Sequence, residues 1–190
     1  MVVPPTALNL LRAALRTRRK HFASGQKNLP LAAAPMLDAV LAGAQIVGLY
    51  HAIGGEPDPT ALIGNLRRQT ALPFLTTDDP VMTFRQWEPG DPLVKSHWGG
   101  QQPVESAPQV KPDLIFVPLL GFDLALNRIG QGGGHYDRYL AANPSACRIG
   151  IAWECQRIAD IESRPWDVPL DAVLTETAFY IKDLTRCHHL

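Results

Sequence analysis

Residues 114–139 read Leu114-Ile115-Phe116-Val117-Pro118-Leu119-Leu120-Gly121-Phe122-Asp123-Leu124-Ala125-Leu126, then Asn127-Arg128-Ile129-Gly130-Gln131-Gly132-Gly133-Gly134-His135-Tyr136-Asp137-Arg138-Tyr139. The run Leu114–Val117 predicts a buried strand, because it is short, rich in branched and aromatic side chains, and bounded by Pro112 and Pro118. Gly130, Gly132, Gly133 and Gly134 then fall within five positions, directly before a segment able to open a helix. Glycine removes the Cβ that would keep an anion from the backbone, and a helix start adds roughly half a positive charge. The stretch therefore reads as a cradle for phosphate. A glycine-rich structural turn is the plain alternative. Arg128, Asp137 and Arg138 flank the cluster, and a phosphate site would use such cations together with a carboxylate suited to magnesium.

Two commoner phosphate loops do not fit. No Gly-Lys-Ser/Thr closes the cluster, so it is not a Walker A loop. A dinucleotide-binding Gly-x-Gly-x-x-Gly needs glycine at position 135, which is His135.

On either side of this run, strands and helices alternate. Residues 6–24 predict an amphipathic helix with Leu8, Leu11, Leu15 and Phe22 on one face and Arg12, Arg16 and Arg19 on another. Such basic residues ordinarily form a solvated face; the alternative is contact with an anionic ligand. A second helix is expected over 33–42, a strand over 45–49, and a helix over 59–69 opening on Pro59. Short strands are expected near 72–75 and 81–86, and residues 88–112 read as a long loop rich in proline and glycine. A helix over 134–143, a strand over 148–152, a short helix after Glu154 and a strand over 171–175 complete the pattern. The alternation predicts one α/β domain spanning 1–190, a mainly parallel twisted sheet flanked by helices in a Rossmann-like three-layer arrangement. Residues 183–190 are expected to form a flexible tail. In such sheets ligands lie beyond the C-terminal strand ends, so Glu56, the glycine loop and Glu154 are expected to share one cleft.

Composition narrows the classes further. Lys+Arg and Asp+Glu number 18 each among 190 residues, so no whole-protein field favours nucleic acid or a membrane surface. No apolar run approaches the roughly 20 residues that span a bilayer, and the N-terminus lacks a signal-peptide pattern. The expectation is a cytoplasmic protein, monomeric or weakly dimeric. Cys147, Cys155 and Cys187 have no Cys-x-x-Cys spacing and are expected to be free thiols. The terminal Cys187-His188-His189 could hold a metal only loosely.

The string Leu120-Gly121-Phe122-Asp123, Asn127-Arg128-Ile129-Gly130, and Gly132-Gly133-Gly134-His135-Tyr136-Asp137-Arg138-Tyr139-Leu140 resembles the signature of the 5-formyltetrahydrofolate cyclo-ligase family. Weaker likenesses fall in the same order along the chain: Gly55-Glu56-Pro57-Asp58, Leu72-Pro73 with Met82-Thr83-Phe84 and Trp87-Glu88-Pro89-Gly90, and Trp166-Asp167-Val168-Pro169-Leu170-Asp171. Together they span about residues 11 to 175. This chain departs from the family's pattern at Gln131 and Leu8, where basic residues are usual, and at His135, where tyrosine is usual.

The resemblance implies ATP-dependent cyclisation of 5-formyltetrahydrofolate to 5,10-methenyltetrahydrofolate, with Mg2+ as cofactor. A non-catalytic homologue that binds reduced folate or nucleotide is the alternative. It implies that Arg12, Arg128, Gly130, Gln131, Gly132, Gly133, Gly134, His135 and Tyr136 bind ATP. It further implies that Glu56, Trp98 and Tyr136 contact the folate, and that Asp137 and Asp167 hold the metal. No side chain is expected to act as nucleophile or general base, since phosphoryl transfer rests mainly on alignment and charge neutralisation. A phosphosugar isomerase on a similar scaffold would need an acid/base motif that this sequence does not offer.

Overall fold

The Leu114–Val117 run lies near the middle of an eight-stranded sheet in the computed structural model, which describes residues 5–26, 29–32, 34–64, 68–76, 81–97 and 99–187. The chain opens with helix α1 (Pro5–Gly25) and helix α2 (Pro35–Gly43). Strand β1 (Ile46–Gly48) and the one-turn helix α3 (Thr60–Ile63) lead to β2 (Gln69–Phe74) and β3 (Thr83–Gln86). A hairpin of β4 (Leu93–Lys95) and β5 (Gln101–Pro103) precedes β6 (Gln109–Val110) and β7 (Leu114–Pro118). A second hairpin, β8 (Gly121–Phe122) with β9 (Arg128–Ile129), carries the chain to helix α4 (His135–Ala142). Strands β10 (Cys147–Ile151), β11 (Ala172–Leu174) and β12 (Phe179–Ile181) finish the sheet.

The strand order is β12-β11-β10-β7-β1-β2-β3-β6. The five inner strands β11, β10, β7, β1 and β2 run parallel, while β12, β3 and β6 pair antiparallel at the two edges. The mainly parallel α/β sheet expected from the alternation is therefore present, closed on both sides by antiparallel strands.

Side-chain alternation along β7 shows why the central run is apolar throughout. Leu114 and Phe116 join a core under α2 and α3, with Leu37, Leu41, Val47 and Leu72. Ile115 and Val117 join the core beneath α4, with Phe84, Phe122 and Leu140. A parallel strand covered on both faces needs an apolar side chain at every position. Helix α1 lies apart from both layers, seating Leu15 against Leu120, Ile129 and Ile161.

Several local expectations are corrected. The helix expected over 59–69 stops at Ile63, because Gly64 turns to φ 42° and Gln69 already belongs to β2. The long loop over 88–112 carries β4, β5 and β6. The glycine loop follows the β8–β9 hairpin rather than β7 directly. The expected tail does not begin at 183: Leu184 and Cys187 are buried against the α2 face of the sheet. Two of the cysteines are not free thiols, since Cys147 and Cys187 form a disulfide across a sequence separation of 40. That pairing occupies the thiol of the proposed Cys187-His188-His189 metal group, whose histidines lie outside the described residues. Cys155 is the free cysteine among the described residues. No helix among them is long and apolar enough to cross a membrane.

Candidate active site

Strand β1 leads to β2 on one side while β7 flanks it on the other, so the chain reverses its direction of winding there. A crevice opens beyond the C-terminal strand ends at such a reversal. A cavity of about 730 Å3 occupies this position, within the usual range for small-molecule sites of ~300–1,000 Å3. Pro73 and Leu75 from the end of β2 and Pro118 from the end of β7 form its base. The glycine loop, the first turn of α4, the start of α1 and residues 160–167 make its walls.

The glycine loop has the backbone its sequence demands. Gly132 adopts φ 110° and Gly134 φ 66°, conformations that side chains bearing a Cβ rarely take. A Cβ on Gly132 would lie 3.3 Å from Arg12 Cζ, so the guanidinium sits directly on the loop. Arg12 Nε also donates to the Gly130 carbonyl at 3.1 Å. Arg16 donates from Nε to the Gln131 side-chain oxygen at 2.8 Å and from Nη2 to its carbonyl at 3.3 Å.

Arg128 and Asp137 meet beneath the loop, with Arg128 Nη2 2.6 Å from Asp137 Oδ1. Arg128 Nη1 also donates to the Val168 carbonyl, and the Val168 N–H donates to Asp137 Oδ1 at 3.2 Å. The pair thus clamps the 160–167 loop to the start of α4. Asp123 holds the loop's other end. Its carboxylate accepts from the Asn127 backbone and side chain at 2.9 and 3.0 Å and from the Ile161 N–H at 3.0 Å. Asp167 Oδ2 accepts from the Arg164 N–H at 2.8 Å, closing a turn, and Asp167 lines the same cavity as Asp137. Two carboxylates lining the cavity beside the glycine loop are hard oxygen donors of the kind that fit magnesium, which needs few protein ligands.

Tyr136 lines the cavity, and its hydroxyl is buried without a hydrogen-bond partner. Burial pushes its phenol pKa well up, with the Glu56 carboxylate adding to the shift and the Arg128 cation opposing it. An orphaned hydroxyl in a native site calls for an explanation, and an absent ligand atom supplies one.

Glu56 does not line the cavity but lies just behind Gln131. Its carboxylate accepts from Arg19 Nη1 at 2.8 Å and from the Ile53 N–H at 3.0 Å. Burial raises its pKa, and the Arg19 cation pulls the other way. Gly54 and Gly55, at φ 57° and 82°, wrap the backbone around α1, where a Cβ on Gly55 would lie 3.0 Å from Ala23 Cβ. Trp98 lies outside the described residues; Gly99 and Gly100 beside it pack on Ile53, with Gly100 also against His51.

From the sequence, Arg19 is expected either on a solvated helix face or against an anionic ligand. It is instead buried, donating to Glu56 and to the carbonyls of Ile53, Gly54 and Leu119. The glycine pair at 54–55 was the available signal that another element approaches closely there. Glu154 does not join the cleft; it accepts from Tyr180, Thr175, Thr177 and Arg157 on another part of the surface. Arg164, which lines the cavity, was not singled out by the sequence, and Trp166 beside it was named only as the start of the Trp166–Asp171 motif.

Residues 7–176 match the model of the 5-formyltetrahydrofolate cyclo-ligase family. The chain belongs to that family. Among its relatives, the 5-formyltetrahydrofolate cyclo-ligase of Haemophilus influenzae is 33% identical over 141 residues, covering 69% of this chain and 75% of that one. The Mycolicibacterium smegmatis protein of the same name is 29% identical over 187 residues, covering 90% and 94%. The solved 5,10-methenyltetrahydrofolate synthetase of Aquifex aeolicus superposes with a TM-score of 0.65 at 25% identity, over 90% of this chain and 92% of that one. The family match takes in nearly all of α1, the sheet through β11 and every wall of the cavity.

Proposed function

We propose that this chain catalyses the ATP-dependent cyclisation of 5-formyltetrahydrofolate to 5,10-methenyltetrahydrofolate, releasing ADP and phosphate. The observation that carries the proposal is that the family match includes a single cavity with a glycine loop, Arg12, Arg128, Asp137 and Tyr136 on its walls.

The reaction follows from the chemistry of a formamide, whose oxygen is a poor leaving group. That oxygen attacks the γ-phosphorus of ATP and ADP departs, leaving the oxygen phosphorylated. The N10 lone pair then attacks the formyl carbon. The carbon–oxygen bond breaks, phosphate leaves with the oxygen, and the N10 proton passes to water. The residues of the site need only align two substrates and offset charge. Backbone N–H groups of 130–134 and the guanidinium groups of Arg12 and Arg128 face the phosphates, with Gln131 and His135 bordering them. Asp137 and Asp167 would hold Mg2+, which supplies charge neutralisation on the phosphates. The Tyr136 hydroxyl donates to a polar atom of the substrate near the reacting carbon. Glu56, just outside the cavity lining, already accepts from Arg19 and the Ile53 N–H, and its remaining acceptor capacity is proposed for a pterin N–H. Trp98 is proposed as an aromatic contact of the folate.

The test is the rise of methenyl absorbance when the protein is mixed with magnesium-ATP and 5-formyltetrahydrofolate. Tight folate binding with no absorbance rise and no ATP consumption would replace the enzyme with a sequestering homologue.

A further inference from the structure

Beyond Arg12 and Arg128, two further arginines stand in or beside the cavity. Arg16, one turn after Arg12 on α1, stands beside the cavity rather than in its lining, half-buried against Gln131 and holding both the side-chain oxygen and the carbonyl of that residue. Across the cavity Arg164 is half-buried in the lining of the 160–167 loop. Its backbone is locked by two hydrogen bonds with Asp167: the Arg164 N–H donates to Oδ2 at 2.8 Å and the Asp167 N–H donates to the Arg164 carbonyl at 3.0 Å. The Trp166 ring lies 5.8 Å from the Arg164 guanidinium carbon, within cation–π range.

Among the described residues, neither Arg12, Arg16 nor Arg164 is salt-bridged to a carboxylate. The three like charges lie close enough that Arg12 is easier to deprotonate than usual, first through burial and then through the fields of Arg164 and Arg16, with Asp167 opposing. Like charges gathered without carboxylate partners are unfavourable in the free protein and become favourable when a polyanion enters. Asp160 and Glu162 also line the cavity. A triphosphate seated on the glycine loop is the anion of the right shape, because the loop supplies N–H groups, Arg12 and Arg164 line the cavity, and Arg16 stands beside Gln131 of the loop.

We propose that Arg16 and Arg164 are phosphate-binding residues of the nucleotide site, closing on the triphosphate from α1 and from the 160–167 loop, with Trp166 positioning Arg164. The inference rests on the cyclo-ligase reading for its choice of triphosphate. It commits the binding of ATP, rather than of folate, to these two side chains.

The experiment compares Arg16→Gln, Arg164→Gln and the charge-relocated double variant Arg16→Gln/Gln131→Arg. Calorimetry with ATP, adenosine and 5-formyltetrahydrofolate is run on each, with thermal unfolding as a check on folding. Each single variant is expected to lose about tenfold in ATP affinity, the size of one charge-assisted hydrogen bond. Adenosine and folate affinity should be unchanged, and relocating the charge to position 131 should restore most of the loss. Trp166→Leu should reproduce part of the Arg164→Gln effect on ATP and leave folate affinity unchanged. Wild-type ATP affinity in both single variants, or equal losses for ATP, adenosine and folate, overturns the proposal. If the wild type forms no methenyl product, the reaction assigned above fails, while the ATP titrations still decide the arginines.

Discussion

Arg19 Nη1 lies 2.8 Å from Glu56 Oε1, with the two side chains only 2% and 5% exposed. This pair joins the middle of α1 to the loop after β1. Arg19→Ala is expected to leave Glu56 charged and uncompensated in the interior, at a cost of about 3–5 kcal/mol. Denaturant titration checks it. A loss below ~1 kcal/mol would mean the pair contributes no more than an exposed one.

The pH dependence follows from the direction of the Glu56 shift. Burial raises its folded-state pKa above the ordinary 4.5, so in a window above that value the folded protein keeps a proton the unfolded chain has lost. The stabilisation this gives is complete below the unfolded pKa and is lost as pH rises through the folded one. Relative to Glu56→Gln, the wild type should therefore lose melting temperature as pH rises from about 4 to 7. A constant difference between the two proteins over that range would show no shift at Glu56.

Gly132→Ala is expected to weaken ATP. The added methyl requires φ 110°, which costs roughly 1–3 kcal/mol, and it meets the Arg12 guanidinium carbon at 3.3 Å. Folate affinity should be unaffected. A variant with wild-type ATP affinity would reduce the loop to a turn.

Asp137→Asn keeps the side chain's shape but removes the charge facing Arg128 and the proposed metal. Turnover is expected to fall by about one to two orders of magnitude, more than the affinity for folate, and to stay below wild type at saturating magnesium. Wild-type turnover would restrict Asp137 to its contact with Arg128.

Reduction of the Cys147–Cys187 disulfide should lower stability by about 3–4 kcal/mol, the loop-closure value for a cross-link of this span. In a chain of this size that shifts the melting temperature by roughly 10 °C. Cys187→Ser should reproduce the shift and become insensitive to reductant. An unchanged melting temperature under reducing conditions would show that Leu184 and its neighbours hold the C-terminus unaided.

The sequence by itself determined the parts built from near neighbours. The apolar run at β7, the glycine cluster, the amphipathic α1 and the family signature are patterns within a few turns of chain, and short-range periodicity and backbone freedom reveal them. It did not reveal β2 beginning at Gln69, the edge strand β12, or the strand pairs inside 88–112, because short strands are defined by partners far away in the sequence. Tertiary structure alone decided that Arg19 is buried while Arg12 and Arg16, from the same basic face, turn to the glycine loop. It alone brought Arg164 across from the 160–167 loop and joined Cys147 to Cys187. The reason is the same in each case: a charged or thiol side chain takes its role from the groups packed around it, and those come from segments whose positions only the folded sheet fixes.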